Sequence, residues 1–567
     1  MKRFSILSTI VLFAFVVQLQ AQLFTRTAEI KEKSGIEVGG FGNIIAGVDF
    51  DKDGRPEIYA VNTNAVDRPD ELIPRIYKFE LNPATGKWDE VWSATAPIAT
   101  QNTWPALAWG DTDKDGRPEI YWGIVNATVP AIGGTYQDVP RILVFEYPGD
   151  GSDNMGVADG LGGFMPNAST NILPYVPLAP LNIRPVRFII TDIDNDGKDE
   201  LIFSDRASNV MNVGVLSVDV IPNNGGGTEK WTVEYSGQNN AAFAGTSTKY
   251  DIAILGNVIY LFDGATSSTA NGGGGKVFGI KYANGAWQTP KLQLGIAGGN
   301  ASFKGSKVVD INKDGTKEIL CAEWNGNGKG QGARVWLLRQ VADTLTSTEI
   351  ANVESLGAVR LNGADAGDID GNGKLDFIFG SRSETNNTRR KALFRLEYQG
   401  GDIALSSSYT TSVIDSAYGT KTGDLDIVVL ANVDGDIDHE IIYTQGYPRQ
   451  DATNDRMPII ILDKKFTPVS VRQEGEAIPT EFYLSQNYPN PFNPSTEIKF
   501  GITTSSNVTL KIFDILGKEI ATIIDNQFLT PGSYVSKFDA KNLSSGVYIY
   551  TLSTGSGSLS KKMQLLK

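Results

Sequence analysis

The sequence of 567 residues contains one cysteine and one histidine. A lone Cys321 cannot close an intramolecular disulfide. It lies in Glu318-Ile-Leu-Cys-Ala, a run that reads as an inner strand and so as a buried structural thiol. Any Ser/His/Asp or Cys/His triad would have to use His439, which borders an acidic loop beside Glu440 and reads as a loop residue. Positive charge is in deficit: 51 Lys plus Arg stand against 65 Asp plus Glu, a net charge of −14. Nucleic acid is therefore not an expected partner. No glycine-rich phosphate cradle stands between a strand and a helix; Gly272–Gly275 falls between strand-like runs. Long apolar runs are also missing. A membrane-spanning helix needs about 20 apolar residues, and nothing after the N-terminus offers that. The run from Phe4 to Val17 follows Lys2 and Arg3. It is too short to span, and residues 1–21 read as a secretory signal cleaved after Ala21. No Cys follows to carry a lipid anchor.

What the chain has in quantity is glycine, 61 residues, and a short acidic loop that recurs. The first copy is Asp49, Asp51, Asp53, Gly54 and Glu57. The second is Asp111, Asp113, Asp115, Gly116 and Glu119; the third is Asp192, Asp194, Asp196, Gly197 and Glu200. The fourth, Asp310, Asn312, Asp314, Gly315 and Glu318, precedes Asp368, Asp370, Asn372, Gly373 and Asp376. The sixth, Asn432, Asp434, Asp436 and Glu440, has Ile437 where the others have Gly. Oxygen side chains thus stand at positions 1, 3, 5 and 9, with Gly at 6. Hard cations such as calcium take about 6–8 oxygen ligands, and Gly permits the positive φ of a sharp turn. An EF-hand would need an acid at position 12, where the first three copies have Ala60, Trp122 and Phe203. The flanks, Val48 before and Ile58-Tyr59-Ala60-Val61 after, read as strands. Solvated Asp/Gly turns are the plainer reading of any single copy. Six copies in register predict up to six calcium sites.

The copies recur roughly every 60 residues, and the interval from 192 to 310 spans two periods. In its middle, Gly256-Asn257 joins two strand-like runs as a tight hairpin in place of the acidic loop. Each of the seven periods has a third strand (Arg75–Leu81, Arg141–Tyr147, Val213–Ile221, Lys276–Tyr282, Ala333–Arg339, Lys391–Tyr398, Pro458–Asp463). Most have a fourth (Trp88–Ser93, Lys230–Tyr235, Trp287–Leu294, Phe466–Arg472). Four antiparallel strands repeated seven times predict an all-β fold, a seven-bladed β-propeller over 22–472. The small residues Ala46-Gly47, Ala108, Gly110 and Ala366-Gly367 suit a crowded innermost strand. The second period carries an insertion near 149–180.

With Phe41-Gly42, Phe243-Ala244-Gly245 and the Asp-x-Asp-x-Asp-Gly loops, residues 36 to 472 resemble the FG-GAP/VCBS propellers, the class of the integrin α-subunit head. That resemblance implies calcium in the loop between a blade's first and second strands. After a polar linker, 473–479, residues 480–567 read as a small Ig-like β-sandwich with strands near 496–500, 508–514, 519–524, 533–538, 547–552 and 558–566. Asn487-Tyr-Pro-Asn-Pro-Phe-Asn-Pro494 and Ser545-Gly-Val-Tyr548 closely resemble the C-terminal sorting domain of type IX secretion cargo, type A. The resemblance implies engagement of that secretion machinery, passage through the periplasm and across an outer membrane, and delivery to the cell surface or medium. An ordinary Ig-like binding module is the alternative.

In a four-stranded meander the acidic loops share one face with the third-to-fourth turns. The second-to-third loops share the other face, and here they are longer and more varied. They carry Arg206 and Arg382, with Trp104 and Trp324 near, a set suited to a glycan or surface-protein ligand. An ordinary mixed-charge surface is the bland reading. The expectation is a binding or adhesion scaffold; the alternative is a calcium-dependent polysaccharide lyase or hydrolase.

Overall fold

The structure, a computed structural model, describes residues 24–31, 41–63, 74–96, 105–124, 140–170, 183–206, 211–223, 229–264, 275–299, 302–325, 332–358, 360–381, 392–416, 424–434, 439–446, 458–464, 472–473 and 479–567, except 245, 247, 505, 530, 541, 542 and 556. The signal-like residues 1–21 lie outside this set, as do Trp104, Arg382, Asp436 and Ile437. The chain divides into two compact units, Met1–Asp463 and Lys464–Lys567.

The first unit is all-β. Among the described residues it holds seven successive antiparallel meanders, numbered here as sheets in chain order. Their innermost strands are Phe41–Val48, Ala106–Gly110, Pro185–Thr191, Lys249–Leu255, Ser302–Val309, Leu361–Gly367 and Asp424–Ala431. Each innermost strand touches the next, and Asp424–Ala431 touches Phe41–Val48, so the ring closes. The second strands are the most enclosed. Glu57–Asn62, Glu119–Gly123, Glu200–Asp205, Val258–Asp263 and Asp376–Ser381 are buried at every position. Their near-continuous apolar runs follow from neighbouring sheets covering both faces. Crowding at the innermost strands is direct: a Cβ on Gly110 would lie 2.8 Å from an Ile190 methyl of the next sheet, and one on Gly47 would lie 2.8 Å from Ala431 Cβ. The hairpin at Gly256-Asn257 is present, with Leu255 paired to Val258.

Two strands depart from the sequence reading. The seventh sheet takes its outer strand from the other end of the unit: its order is Phe24–Ile30, Ile459–Lys464, Glu440–Gly446, Asp424–Ala431. The expected strand Phe466–Arg472 lies outside the described residues except for Arg472. Arg472–Gln473 pairs with Gly532–Asp539 of the second unit, so the second unit begins before the expected linker. In the second sheet the fourth strand, Ala168–Thr170, lies inside the expected insertion, which also forms a short hairpin of Val157–Ala158 with Phe164–Met165.

The second unit is a sandwich of two four-stranded sheets. One is built on Ser495–Ile502 and Gly532–Asp539. The other is ordered Glu519–Leu529, Ser506–Phe513, Gly546–Thr554, Gly557–Leu565. Alternation sends Ile498, Phe500, Val508, Leu510, Ile512, Tyr550 and Leu552 into one core. The motif at 487–494 is structural in this unit. Asn487 is buried and donates to Pro489 O (3.0 Å) and Thr496 Oγ1 (2.9 Å), and Phe492 enters the core.

Candidate functional site

The acidic loops join the first and second strands, and the same hydrogen-bond pattern builds each described copy. The position-6 glycine N–H donates to the position-1 carboxylate: 3.1 Å for Gly54 to Asp49, 3.1 Å for Gly116 to Asp111, 3.0 Å for Gly197 to Asp192, 2.8 Å for Gly315 to Asp310 and 2.7 Å for Gly373 to Asp368. The position-5 N–H donates to the position-3 side chain, as in Asp115 to Asp113 at 3.3 Å. The position-9 acid accepts from the position-2 N–H: 3.2 Å for Phe50 to Glu57, 2.9 Å for Thr112 to Glu119, 2.9 Å for Ile193 to Glu200 and 2.7 Å for Val433 to Glu440. These bonds aim the side-chain oxygens inward. The glycines sit at φ 84 to 93° with nothing within 4 Å of an added Cβ, so backbone angle alone requires them. Position 4 is left-handed as well: Lys52, Lys114, Asn195 and Lys313 have φ of 60 to 62°.

The second loop converges furthest. Carboxylate oxygens of Asp111, Asp113, Asp115 and Glu119 all lie within 4.8 Å of one another. Asp49, Asp51 and Asp53 converge likewise, as do Asp192, Asp194 and Glu200, and Asp368, Asp370 and Asp376. Asp196 is not in its loop's group. In the fourth copy Asn312 Nδ2 donates to Asp314 at 2.9 Å, and no comparable group of three acids forms among the described residues. Of the sixth copy Asn432, Asp434 and Glu440 are described, and Asp436 lies outside.

Sequence reasoning missed a further acid. Across the second and third strands Glu57 faces Glu80, Glu119 faces Glu146, and Asp376 faces Glu397. The signal was there: each follows an apolar residue late in a third strand, as Phe79-Glu80, Phe145-Glu146 and Leu396-Glu397. Acids directly opposite each other repel, so each pair calls for a cation. Burial adds to the cost. It pushes Glu119 up to about 9 and Glu146 and Glu200 to about 8, with nearby acids adding to each. Glu119 Oε1, Asp111 Oδ1, Glu146 Oε2 and Glu200 Oε1 are buried with no hydrogen-bond partner. A hard cation fits these residues: the donors are all oxygen, several lack partners, and the charge is of one sign.

The third-to-fourth segments do lie on the acidic-loop face. Asp153 reaches Lys78 beside the first loop at 3.0 Å, and Ile221 N donates to Asp113 at 2.9 Å. On the other face Arg206 is half-buried, and its N–H donates to Arg184 O at 2.9 Å. Trp324 corrects the expectation of an exposed stacking ring. It is 4% exposed, with Lys304 Nζ 4.7 Å and Arg360 5.2 Å from its ring, and Tyr250 against it. It stands in the second strand, Glu318–Asn325, and not in the loop that follows. Cys321 is fully buried, and burial holds its thiol protonated.

The ring of seven antiparallel sheets, six with acidic first-to-second loops, defines a β-propeller of the FG-GAP kind, followed by a sorting-type sandwich. Residues 49–122 and 310–379 match the FG-GAP-like repeat family, and residues 486–565 match the secretion system C-terminal sorting domain. The chain is thus cargo of type IX secretion, which its C-terminal unit engages, and it is delivered to the cell surface or beyond. No helix among the described residues is long and apolar enough to cross a membrane. No curated protein matches the chain. Among solved structures it is similar to the periplasmic gluconolactonase PpgL of Pseudomonas aeruginosa, at 13% identity and a TM-score of 0.33, over 65% of this chain and 82% of that one. It is also similar to the Bombyx mori GH32 beta-fructofuranosidase, at 10% identity and a TM-score of 0.30, over 78% and 91% of the two chains. The NanB sialidase of Streptococcus pneumoniae gives 9% identity and a TM-score of 0.21, over 96% and 70%. Scores this low transfer nothing to this chain.

Proposed function

We propose that the secreted propeller is a calcium-stabilised scaffold that binds a glycan or surface protein, and that its acidic loops hold the calcium. The observation that carries the calcium reading is the second loop, where four carboxylates converge and Asp111 Oδ1 and Glu119 Oε1 are buried without a partner. Asp111, Asp113, Asp115 and Glu119 would hold the ion there; Asp192, Asp194 and Glu200 would hold it in the third loop. The ion supplies charge neutralisation and cross-links a loop to the strand that follows it. It has no electron-transfer role.

Binding, rather than turnover, is supported by how the chain spends its reactive groups. The thiol is buried, the single His439 is an exposed loop residue, and the convergent acids belong to the stiffening loops. The long second-to-third loops, with Arg206 and Arg382 among them, are the surface on which a ligand would be read. A glycan array run beside reducing-end and unsaturated-uronate assays on the mature propeller tests this. Binding without turnover, weakened by Arg382→Ala, is expected. Turnover of a polysaccharide by homogeneous protein would replace the scaffold with a calcium-dependent lyase or hydrolase.

A further inference from the structure

One third-strand position separates the acidic loops into two kinds. It faces the residue two places after the loop's closing acid. In the first sheet it is Lys78, opposite Tyr59, and in the sixth it is Arg395, opposite Ile378. In the second, third, fifth and seventh it is Val144, Val215, Leu337 and Ile461.

Both cations reach the acids that would ligate a metal. Lys78 is 1% exposed. Its Nζ lies 2.6 Å from Asp51 Oδ2, 2.8 Å from Glu57 Oε1 and 2.9 Å from Glu80 Oε1. Arg395 Nε lies 2.6 Å from Asp376 Oδ1, and its Nη2 lies 2.6 Å from Asp370 Oδ2 and 2.9 Å from Glu397 Oε1. The other oxygens of Asp370 and Asp376 accept from Asn372 N (3.2 Å) and Ile369 N (3.1 Å). Every oxygen of the position-3 and position-9 carboxylates of that loop thus accepts a hydrogen bond, and Arg395 supplies one to each acid. A divalent ion at the same oxygens would sit beside a fixed buried positive charge.

The second loop is the converse case. Val144 replaces the cation, and among the described residues no Lys or Arg nitrogen lies within 4.0 Å of the Asp111, Asp113 or Glu119 carboxylates. Glu119 is fully buried and its Oε1 has no hydrogen-bond partner; Glu57 Oε2 of the first loop has none either, so what distinguishes the second loop is the missing cation. Arg117 reaches only the outer acids, Asp115 at 3.8 Å and Glu146 at 3.5 Å. In the third loop Glu200 Oε1 is likewise buried without a partner.

We propose that the loops at 49–57 and 368–376 carry their own counter-ion and take no metal, while the loops whose third strand has an aliphatic residue at this position, 111–119 and 192–200 foremost, require an external divalent cation. The chain then binds at most four calcium ions, not six. This rests on the calcium reading above. Chelation accordingly acts unevenly around the ring, loosening the second and third sheets and leaving the first and sixth pinned.

The test is a count of calcium bound to the full-length protein, by elemental analysis after stripping with chelator, re-equilibration in calcium and gel filtration. Four or fewer ions per chain are expected. Asp111→Asn should lose one ion, and Lys78→Met and Arg395→Met should each gain one. Five or six ions in the unmodified protein would overturn the division and leave the calcium reading intact. An unchanged count in a folded Lys78→Met protein would overturn it too. Should both Met variants misfold, the unmodified protein's count decides. Zero ions would remove the calcium reading itself, and this proposal with it.

Discussion

Replacing Glu119 by Gln should stabilise the propeller without calcium and blunt the stabilisation that calcium gives. Glu119 is fully buried, and in the metal-free protein its carboxyl is pushed from 4.5 up to about 9, by burial first and then by Asp113, Asp111 and Glu146. A carboxyl whose folded value lies above its unfolded value weakens the fold once the pH exceeds the unfolded value. The penalty grows until the pH reaches the folded value. At pH 7 the unfolded chain ionises this group and the folded chain holds it protonated, a gap of roughly 2.5 pH units, or about 3 kcal/mol. Gln has the shape of the protonated acid and carries no such penalty. Its amide can donate to the Asp111 or Asp113 carboxylates while its oxygen keeps the Thr112 N–H. Glu119→Gln should therefore stabilise the chelated propeller by about 3 kcal/mol at pH 7, with the gain fading toward pH 4.5. In calcium the gain shrinks, because the site loses a charged ligand: each tenfold fall in affinity removes about 1.4 kcal/mol at saturating calcium, and a fall beyond about 200-fold reverses the sign. Denaturant melts in EGTA and in calcium, at pH 5 and pH 7, measure both. A variant less stable than the unmodified protein in EGTA at pH 7 would refute the reasoning.

The loop backbone offers a separate check. Gly116→Ala places a Cβ in open space at φ 89°, so its cost should be backbone strain of about 1–2 kcal/mol, read as a lowered denaturation midpoint. Removing Phe24–Ile30 takes the outer strand from the seventh sheet, and should lower the propeller's melting temperature while leaving that of the isolated second unit unchanged, as scanning calorimetry would report. Deleting 464–567 should leave a folded propeller that accumulates in the periplasm; its appearance at the surface or in the medium would contradict the sorting role of the C-terminal unit.

Much of the fold was legible because it repeats. The acidic loops mark each first-to-second turn. The hairpin at Gly256-Asn257 holds the place of the missing one, and alternation gives the sandwich strands at 495–565. Four features were not legible, each for a reason of distance or register. Phe24–Ile30 pairs across the whole length of the propeller unit, and no local signal marks that partner. The insertion near 149–180 hides a three-residue strand, Ala168–Thr170, too short to carry a period. Trp324 read as a loop aromatic, but the packing of Tyr250, Lys304 and Arg360 buries it. Lys78 and Arg395 are ordinary cations in strand-like runs, and only the register opposite Tyr59 and Ile378 shows that they point into the loops. The acids at Glu80, Glu146 and Glu397 could have been found from their shared place after an apolar residue late in their third strands.

The calcium claim is tested most directly by thermal melts of the full-length protein in calcium and in EGTA, with the two units followed separately. The account requires the propeller transition to rise substantially in calcium, because convergent buried carboxylates lose their mutual repulsion and ion binding is linked to folding. The C-terminal unit, where no acidic cluster of this kind occurs among the described residues, should melt at the same temperature in both. A propeller transition that does not move on chelation would contradict the account.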